Sequence, residues 1–144
     1  MTGNDFMSWV LRSPLHGMLS SSMMLITVKG RKSGKHYTLP VGYYRQNGNL
    51  WVLTNRNRTW WRNTQGGADV SLLLRGQTVD AFAEPELEIH SVERLLCEYL
   101  GHIPQSARSM GIRVEDGTPN SEDVNRVAKD KLFVRIESRS GSIP

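Results

Sequence analysis

Apolar and polar positions fall into short β-type runs over residues 24–84 and into mixed helical and β patterns afterwards. Residues 24–29 read MLITVK and residues 36–46 read HYTLPVGYYRQ, both rich in β-branched and aromatic side chains, so two strands are predicted. Pro40 lies inside the second run and cannot donate to a ladder, which calls for an edge position or a bulge. Asn47-Gly48 is a tight-turn pair. It leads to a third strand over 49–55, where Leu50, Val52 and Thr54 alternate with Trp51 and Leu53, so that both faces are partly covered. Strands four and five are predicted over 70–74 and 78–84, joined by a hairpin at Arg75-Gly76-Gln77 and closed by Pro85.

Helical spacing brackets these strands. Phe6, Trp9, Val10, Leu15, Met18 and Leu19 recur at one-sided intervals interrupted by Pro14, giving a helical segment within residues 1–22. Residues 56–65, RNRTWWRNTQ, predict one or two helical turns with Thr59 as N-cap and Gly66-Gly67 as the stop. From Ser91, read as an N-cap, Val92, Leu95, Leu96, Tyr99 and Leu100 form one apolar helix face. Residues 110–121 read as a loop, 121–129 as a short helix, and 131–137 as a sixth strand through Leu132, Val134 and Ile136. Residues 138–144 read as a frayed tail. This order predicts a mainly β or α+β fold, a six-stranded antiparallel barrel with short helices covering its ends.

At 144 residues the chain fits one domain, 1–144, with a core that needs no staple. The single Cys97 has no internal partner and reads as a buried thiol of a reducing compartment. No apolar run approaches the ~20 residues of a membrane span, and the N-terminus lacks a signal peptide's basic-then-apolar order, so a cytoplasmic location is expected. The net charge of +4 and pI near 9.5 admit anionic partners. The distribution is more telling: Arg31, Lys32, Lys35, Arg45, Arg56, Arg58 and Arg62 precede the acidic Glu84, Glu86, Glu88, Glu93 and Glu98. An anion-facing surface is therefore expected in the first half.

The densest chemistry is the turn GRKSGK at 30–35, which places Arg31, Lys32 and Lys35 within five residues. A turn alone needs no such repelling charges, so an anion or solvent must screen them. The turn lacks P-loop spacing, and no Gly-x-Gly-x-x-Gly opens a helix after a strand. There is no nucleophile elbow, and Cys97 has no basic neighbours, so no catalytic residue is assigned. The four histidines are scattered without metal-ligand spacing, so no metal site is assigned either. The second feature is Trp60-Trp61-Arg62-Asn63. Adjacent tryptophans on a helix point about 100° apart, so at most one is expected to pack squarely in the core. The other is free to line a pocket, where a flat ring can stack and Asn63 can bond a ring amide edge; the alternative is that both tryptophans close the barrel end as core.

GRKSGKHYTLPV after MLITVK, followed by TWWRN and a short hairpin, resembles the deazaflavin-dependent nitroreductase family. That family is a branch of the split β-barrel flavin-binding proteins related to pyridoxamine phosphate oxidase. The resemblance covers about residues 9–84. It implies a split barrel, an oxidoreductase, and coenzyme F420 as cofactor, with FMN as the alternative. It places the cofactor's phosphate and acidic tail at Arg31, Lys32, Ser33, Gly34 and Lys35. The family's Trp-Tyr-x-Asn helix beside the deazaflavin maps onto Trp60, Trp61 and Asn63, and Thr54 and Asn55 would lie next to the ring. Tyr37 stands where the family often has arginine, and the loop before the tryptophans is shorter than usual. The implied reaction is hydride transfer from the reduced coenzyme to an activated alkene, quinone or nitroaromatic, and a homodimer is implied as well.

Two other readings stay open. The same barrel can hold a lipid, haem or another small ligand without catalysis. A small basic barrel can also bind single-stranded nucleic acid, but +4 net charge and 8% aromatics argue against a nucleic-acid partner.

Overall fold

The computed structural model describes residues 23–139, so the helical segment expected within 1–22 and the tail beyond 139 lie outside the described residues. The described chain forms two compact units. One holds residues 23–53, 59–85 and 134–139, and the other holds 54–58 and 86–133.

The main sheet has seven strands: β1 (Met23–Lys29), β2 (His36–Gly42), β3 (Tyr44–Gln46), β4 (Asn49–Asn55), β5 (Ala68–Leu74), β6 (Gln77–Glu86) and β9 (Lys131–Ser138). Their order is β2-β1-β5-β6-β9-β4-β3. β1 and β2 pair antiparallel without interruption from Met23↔Gly42 to Lys29↔His36, and Thr27 and Thr38 share a hydroxyl hydrogen bond of 2.8 Å across them. β5 and β6 pair antiparallel through all seven residues of β5. The Arg139 N–H donates to the Asp80 carbonyl, and the Arg135 guanidinium pairs with Glu84, so β9 runs antiparallel to β6.

Six strands were expected and seven are present in this sheet, because the single run predicted over 36–46 is cut at Tyr43. The two pieces go to opposite edges: β2 ends the sheet on one side and β3 on the other. A sheet whose two edges are supplied by residues 42 and 44 has to curl, and this curled antiparallel sheet is the split-barrel arrangement. Pro40 sits in β2, an edge strand, where its missing N–H costs no ladder bond. The core is built by Met24, Leu25, Ile26, Val28, Leu72, Leu74, Ala81 and Ala83, all essentially inaccessible. Asn47-Gly48 and Arg75-Gly76 have positive φ at both turn positions, matching the twist of the strands they join.

In the second unit, α1 (Ile89–His102), α2 (Ser106–Ser109) and α3 (Ser121–Asp130) accompany a two-stranded ribbon of β7 (Val114–Glu115) and β8 (Thr118–Pro119). At 14 residues α1 is longer than the short helices expected. Its N-cap is Glu88 and not Ser91: the Glu88 carboxylate accepts from the His90 and Ser91 N–H groups, which starts the helix three residues early. Val92, Leu95, Leu96 and Leu100 are its buried face, and α1 packs on α3. Cys97, one position past Leu96, is rotated off that stripe. It is exposed, not buried as expected.

The segment 110–121, expected as loop, contains the β7–β8 ribbon and is anchored by Asp123. That carboxylate accepts from the Arg113 backbone N–H and Nε at 2.9 Å each and from Arg126 Nη1 at 3.1 Å. The hydrogen bonds from Arg113 hold Asp123 well below the usual carboxylate range, at about 2. Arg56 closes the end of α3 from residues 54–58: its Nε and Nη2 reach the Ala128 carbonyl at 3.2 and 3.0 Å, and Nη2 reaches Leu87 at 2.9 Å. Its own N–H donates to the Asp130 carbonyl at 2.8 Å.

Candidate functional site

The basic turn links β1 to β2. The Gly30 N–H donates to the Lys35 carbonyl at 2.7 Å and the Gly34 N–H to the Gly30 carbonyl at 2.8 Å, closing the turn from both ends. Gly34 has φ +73, the left-handed conformation that ends such a turn. The Lys35 N–H donates to Ser33 Oγ at 3.2 Å, and the Ser33 hydroxyl lies 3.2 Å from the Tyr37 hydroxyl. Gly30 is buried beneath this arrangement, and a Cβ there would stand 2.6 Å from Tyr37 Cε2 and 3.0 Å from Ser33 Oγ. Tyr37 thus lies over Gly30 with 47% of its surface open. Residues 31–37 are all exposed.

The aromatic segment is a 3-10 helix, Trp60–Thr64, with Thr59 at its N-cap position but no side-chain capping bond. It packs against β1 and β5. Trp60 and Trp61 are both buried, at 7% and 4% exposure, which departs from the reading in which one stands clear to line a pocket and matches the alternative in which both are core. The two strands the helix packs on, β1 and β5, are neighbours in the sheet. The Arg62 guanidinium covers the Trp61 ring at 5.1 Å from its centroid.

Asn63 joins the two features. Its Oδ1 accepts the Arg31 backbone N–H at 3.1 Å while its Nδ2 donates to the Trp60 carbonyl at 3.2 Å. The Arg31 guanidinium donates to the Gln65 carbonyl. Arg31, Ser33, Gly34, Tyr37, Trp60 and Asn63 are therefore brought into one bonded assembly in the first unit. Lys32 and Lys35 project from its exposed side, and among the described residues no acidic side chain pairs with either. Nothing in the sequence signalled Gln65, because it takes part through a backbone carbonyl. Gly30 had a signal, a glycine directly before the basic run.

Thr54 and Asn55 belong to the second unit. There Lys131 Nζ donates to Asn55 Oδ1 at 2.7 Å, and Asn55 lines a polar cavity of about 250 Å³ with Arg56, Asn57, Lys129 and Asp130. Among the described residues no group of three or more His, Cys, Asp or Glu is placed to hold a metal ion, and no helix is long and apolar enough to cross a membrane.

The curled antiparallel sheet, with a basic turn between β1 and β2, is a split-barrel fold. Within it, residues 13–109 match the family model of F420H(2)-dependent quinone reductases, and the chain belongs to that family. Among solved structures it is similar to HutZ, the heme storage protein from Vibrio cholerae, with a TM-score of 0.56 at 13% identity over 98% of this chain and 93% of that one. It is similar to a candidate pyridoxamine 5'-phosphate oxidase from Listeria innocua, with a TM-score of 0.55 at 8% identity over 95% and 93%. Rv2991 from Mycobacterium tuberculosis aligns with a TM-score of 0.52 at 16% identity over 96% and 81%. At such identities the likeness speaks to the fold alone. A comparison with curated proteins found no match.

Proposed function

We propose that this chain is an F420-dependent oxidoreductase that reduces a quinone, with activated alkenes and nitroaromatics as related acceptors of the same two-electron chemistry. The observation that carries the reading is the exposed, acid-free turn Arg31–Lys35, bonded to the tryptophan helix, in a chain of the F420H(2)-dependent quinone reductase family. Lys32 and Lys35 supply point charges for the coenzyme's phosphate and acidic tail, and the Ser33 hydroxyl adds a hydrogen-bonding group beside them. The helix to which the turn is bonded is anchored by the buried Trp60 and Trp61. When bound, the reduced deazaflavin supplies a hydride, which with one proton converts a quinone to its hydroquinone. The chain's part is to bind, orient and exclude water, so it needs no acid–base dyad or nucleophile. Tyr37, where the family often has arginine, leaves the turn with one cation fewer and offers an aromatic face and a hydroxyl instead.

Fluorescence titration with oxidised and reduced coenzyme F420, with FMN as control, followed by anaerobic turnover with a naphthoquinone, tests the proposal. Saturable binding of the deazaflavin in preference to FMN, and quinone-dependent oxidation of the reduced form, are expected. Absence of deazaflavin binding at low salt overturns it. A preference for FMN would transfer the site to the flavin.

A further inference from the structure

The Asn63 side chain is engaged at both ends, and neither end is directed to a ligand. Its oxygen takes the Arg31 N–H and its amide nitrogen gives to the Trp60 carbonyl. Arg31 then reaches past it with its guanidinium to the Gln65 carbonyl. Two hydrogen bonds therefore tie the first cation of the turn to the 3-10 helix segment across more than thirty residues of chain, and the bond from Asn63 to the Trp60 carbonyl, inside the helix, fixes the side chain that accepts one of them. Without them the tip of the turn is held by its own local bonds, the backbone ones from Gly30, Gly34 and Lys35 and the Ser33–Tyr37 hydroxyl pair, all at exposed residues except Gly30.

We infer that Asn63 is a positioning residue of the anion site, acting on a phosphate-bearing ligand by holding the Arg31 backbone so that Lys32 and Lys35 face one anion. It does not act by bonding the ligand's ring. The residue type fits this role. Asparagine offers a neutral acceptor and donor on one planar group at short reach, which the Arg31 N–H and the Trp60 carbonyl each require. Aspartate could accept but not donate, and would bring a negative charge to an anion site. Arg31 contributes mainly as a strut, since its guanidinium is directed to Gln65. Recognition is left to Lys32 and Lys35, whose stems are flexible, so a fixed backbone between them lowers the entropy cost of bringing both ammonium groups to one anion. The inference rests on the proposed phosphate-bearing cofactor, but its test separates the two.

The probe is inorganic phosphate, read by amide NMR shifts of residues 32–35, together with hydrogen exchange of the Arg31 amide in the full chain. In Asn63→Ala the Arg31 amide is expected to exchange at least about tenfold faster. Phosphate affinity is expected to fall by a hydrogen bond's worth, about 2- to 10-fold. Asn63→Asp keeps the acceptor and is expected to restore Arg31 protection while binding phosphate more weakly than wild type. If Asn63→Ala does not fold, this second variant decides: lost Arg31 protection overturns the inference. A phosphate-free deazariboflavin should bind wild type and Asn63→Ala equally, whereas an equal loss for ring and phosphate-bearing ligand would place Asn63 on the ring and overturn the inference. Unchanged Arg31 exchange and phosphate affinity in Asn63→Ala, or a wild type whose turn amides ignore phosphate, would also overturn it. A wild type that binds phosphate at the turn but no deazaflavin sinks the quinone reductase proposal and leaves Asn63 as its phosphate-site positioner.

Discussion

Adding a single methyl group at Gly30 tests whether the turn has the shape described. The new Cβ would stand 2.6 Å from Tyr37 Cε2, 3.0 Å from Ser33 Oγ and 3.3 Å from the Lys35 carbonyl. The first distance is far inside contact, so something has to move, and the candidates differ in cost. The Lys35 carbonyl is held by the Gly30 N–H at 2.7 Å and is part of the closure. Tyr37 is an exposed ring on a rotatable bond, so it should swing away first. That movement gives up its bond to Ser33 and its contact with the backbone of Gly30, about 1 kcal/mol for an exposed hydrogen bond and a little more for the packing. Gly30→Ala is therefore expected to cost about 1–2 kcal/mol, and Tyr37→Ala about 1 kcal/mol on its own. In the double variant the ring is gone and the methyl has space, so the losses should not add: a coupling of about 1 kcal/mol is expected. Urea unfolding of the four proteins measures it. Additivity within about 0.3 kcal/mol would show that the ring does not lie over Gly30 and would refute the geometry. Gly34→Ala is the control, because nothing stands within 4 Å of its Cβ and only the positive φ is strained, at about 1 kcal/mol, with no dependence on Tyr37.

Other consequences can be measured directly. Lys32→Glu should weaken coenzyme F420 by about 30-fold or more, a lost charge-assisted hydrogen bond of about 2 kcal/mol, and flatten the salt dependence of binding; unchanged affinity removes Lys32 from the site. Asp123, held near 2 by Arg113, has a folded pKa below its unfolded one. Its contribution is thus complete above about pH 4 and is lost as pH falls through about 2. Acid unfolding of wild type and Asp123→Asn should converge at the low end of that window, and parallel curves would refute the assignment. Cys97 should react with a thiol reagent in the folded protein, since it is exposed. Its rate near neutral pH should lie below that of the unfolded chain, because desolvation, with Glu93 and then Glu98 adding to it, pushes the thiol up. Protection until the chain unfolds would contradict its place on α1.

Much of the molecule was legible from neighbours along the chain. β4 and β9 follow from period-two patterns, β1 from its β-type composition, β5 and β6 and the other hairpin from turn signals at Arg75-Gly76 and Asn47-Gly48, and the family from the GRKSGK turn with its tryptophan segment. Pattern and turn chemistry act over a few residues, and so they can be read there. Features that depend on partners far away in sequence could not be read in the same way. Tyr43 cuts one apparent strand in two because the sheet curls and needs both of its edges from that run. Both tryptophans are buried in a 3-10 helix that packs against β1 and β5, strands from other parts of the chain. Helix α1 begins at Glu88 because a carboxylate two residues away satisfies its first amides, a competition that favours no particular residue type until the backbone is in place. Asn63 is the clearest case. Composition and position marked it as a residue that could bond a ligand, but a side chain with both donor and acceptor can be used equally well by the protein itself. Tertiary packing brought the Arg31 N–H and the Trp60 carbonyl to its two ends, and that is what made it a brace for the basic turn.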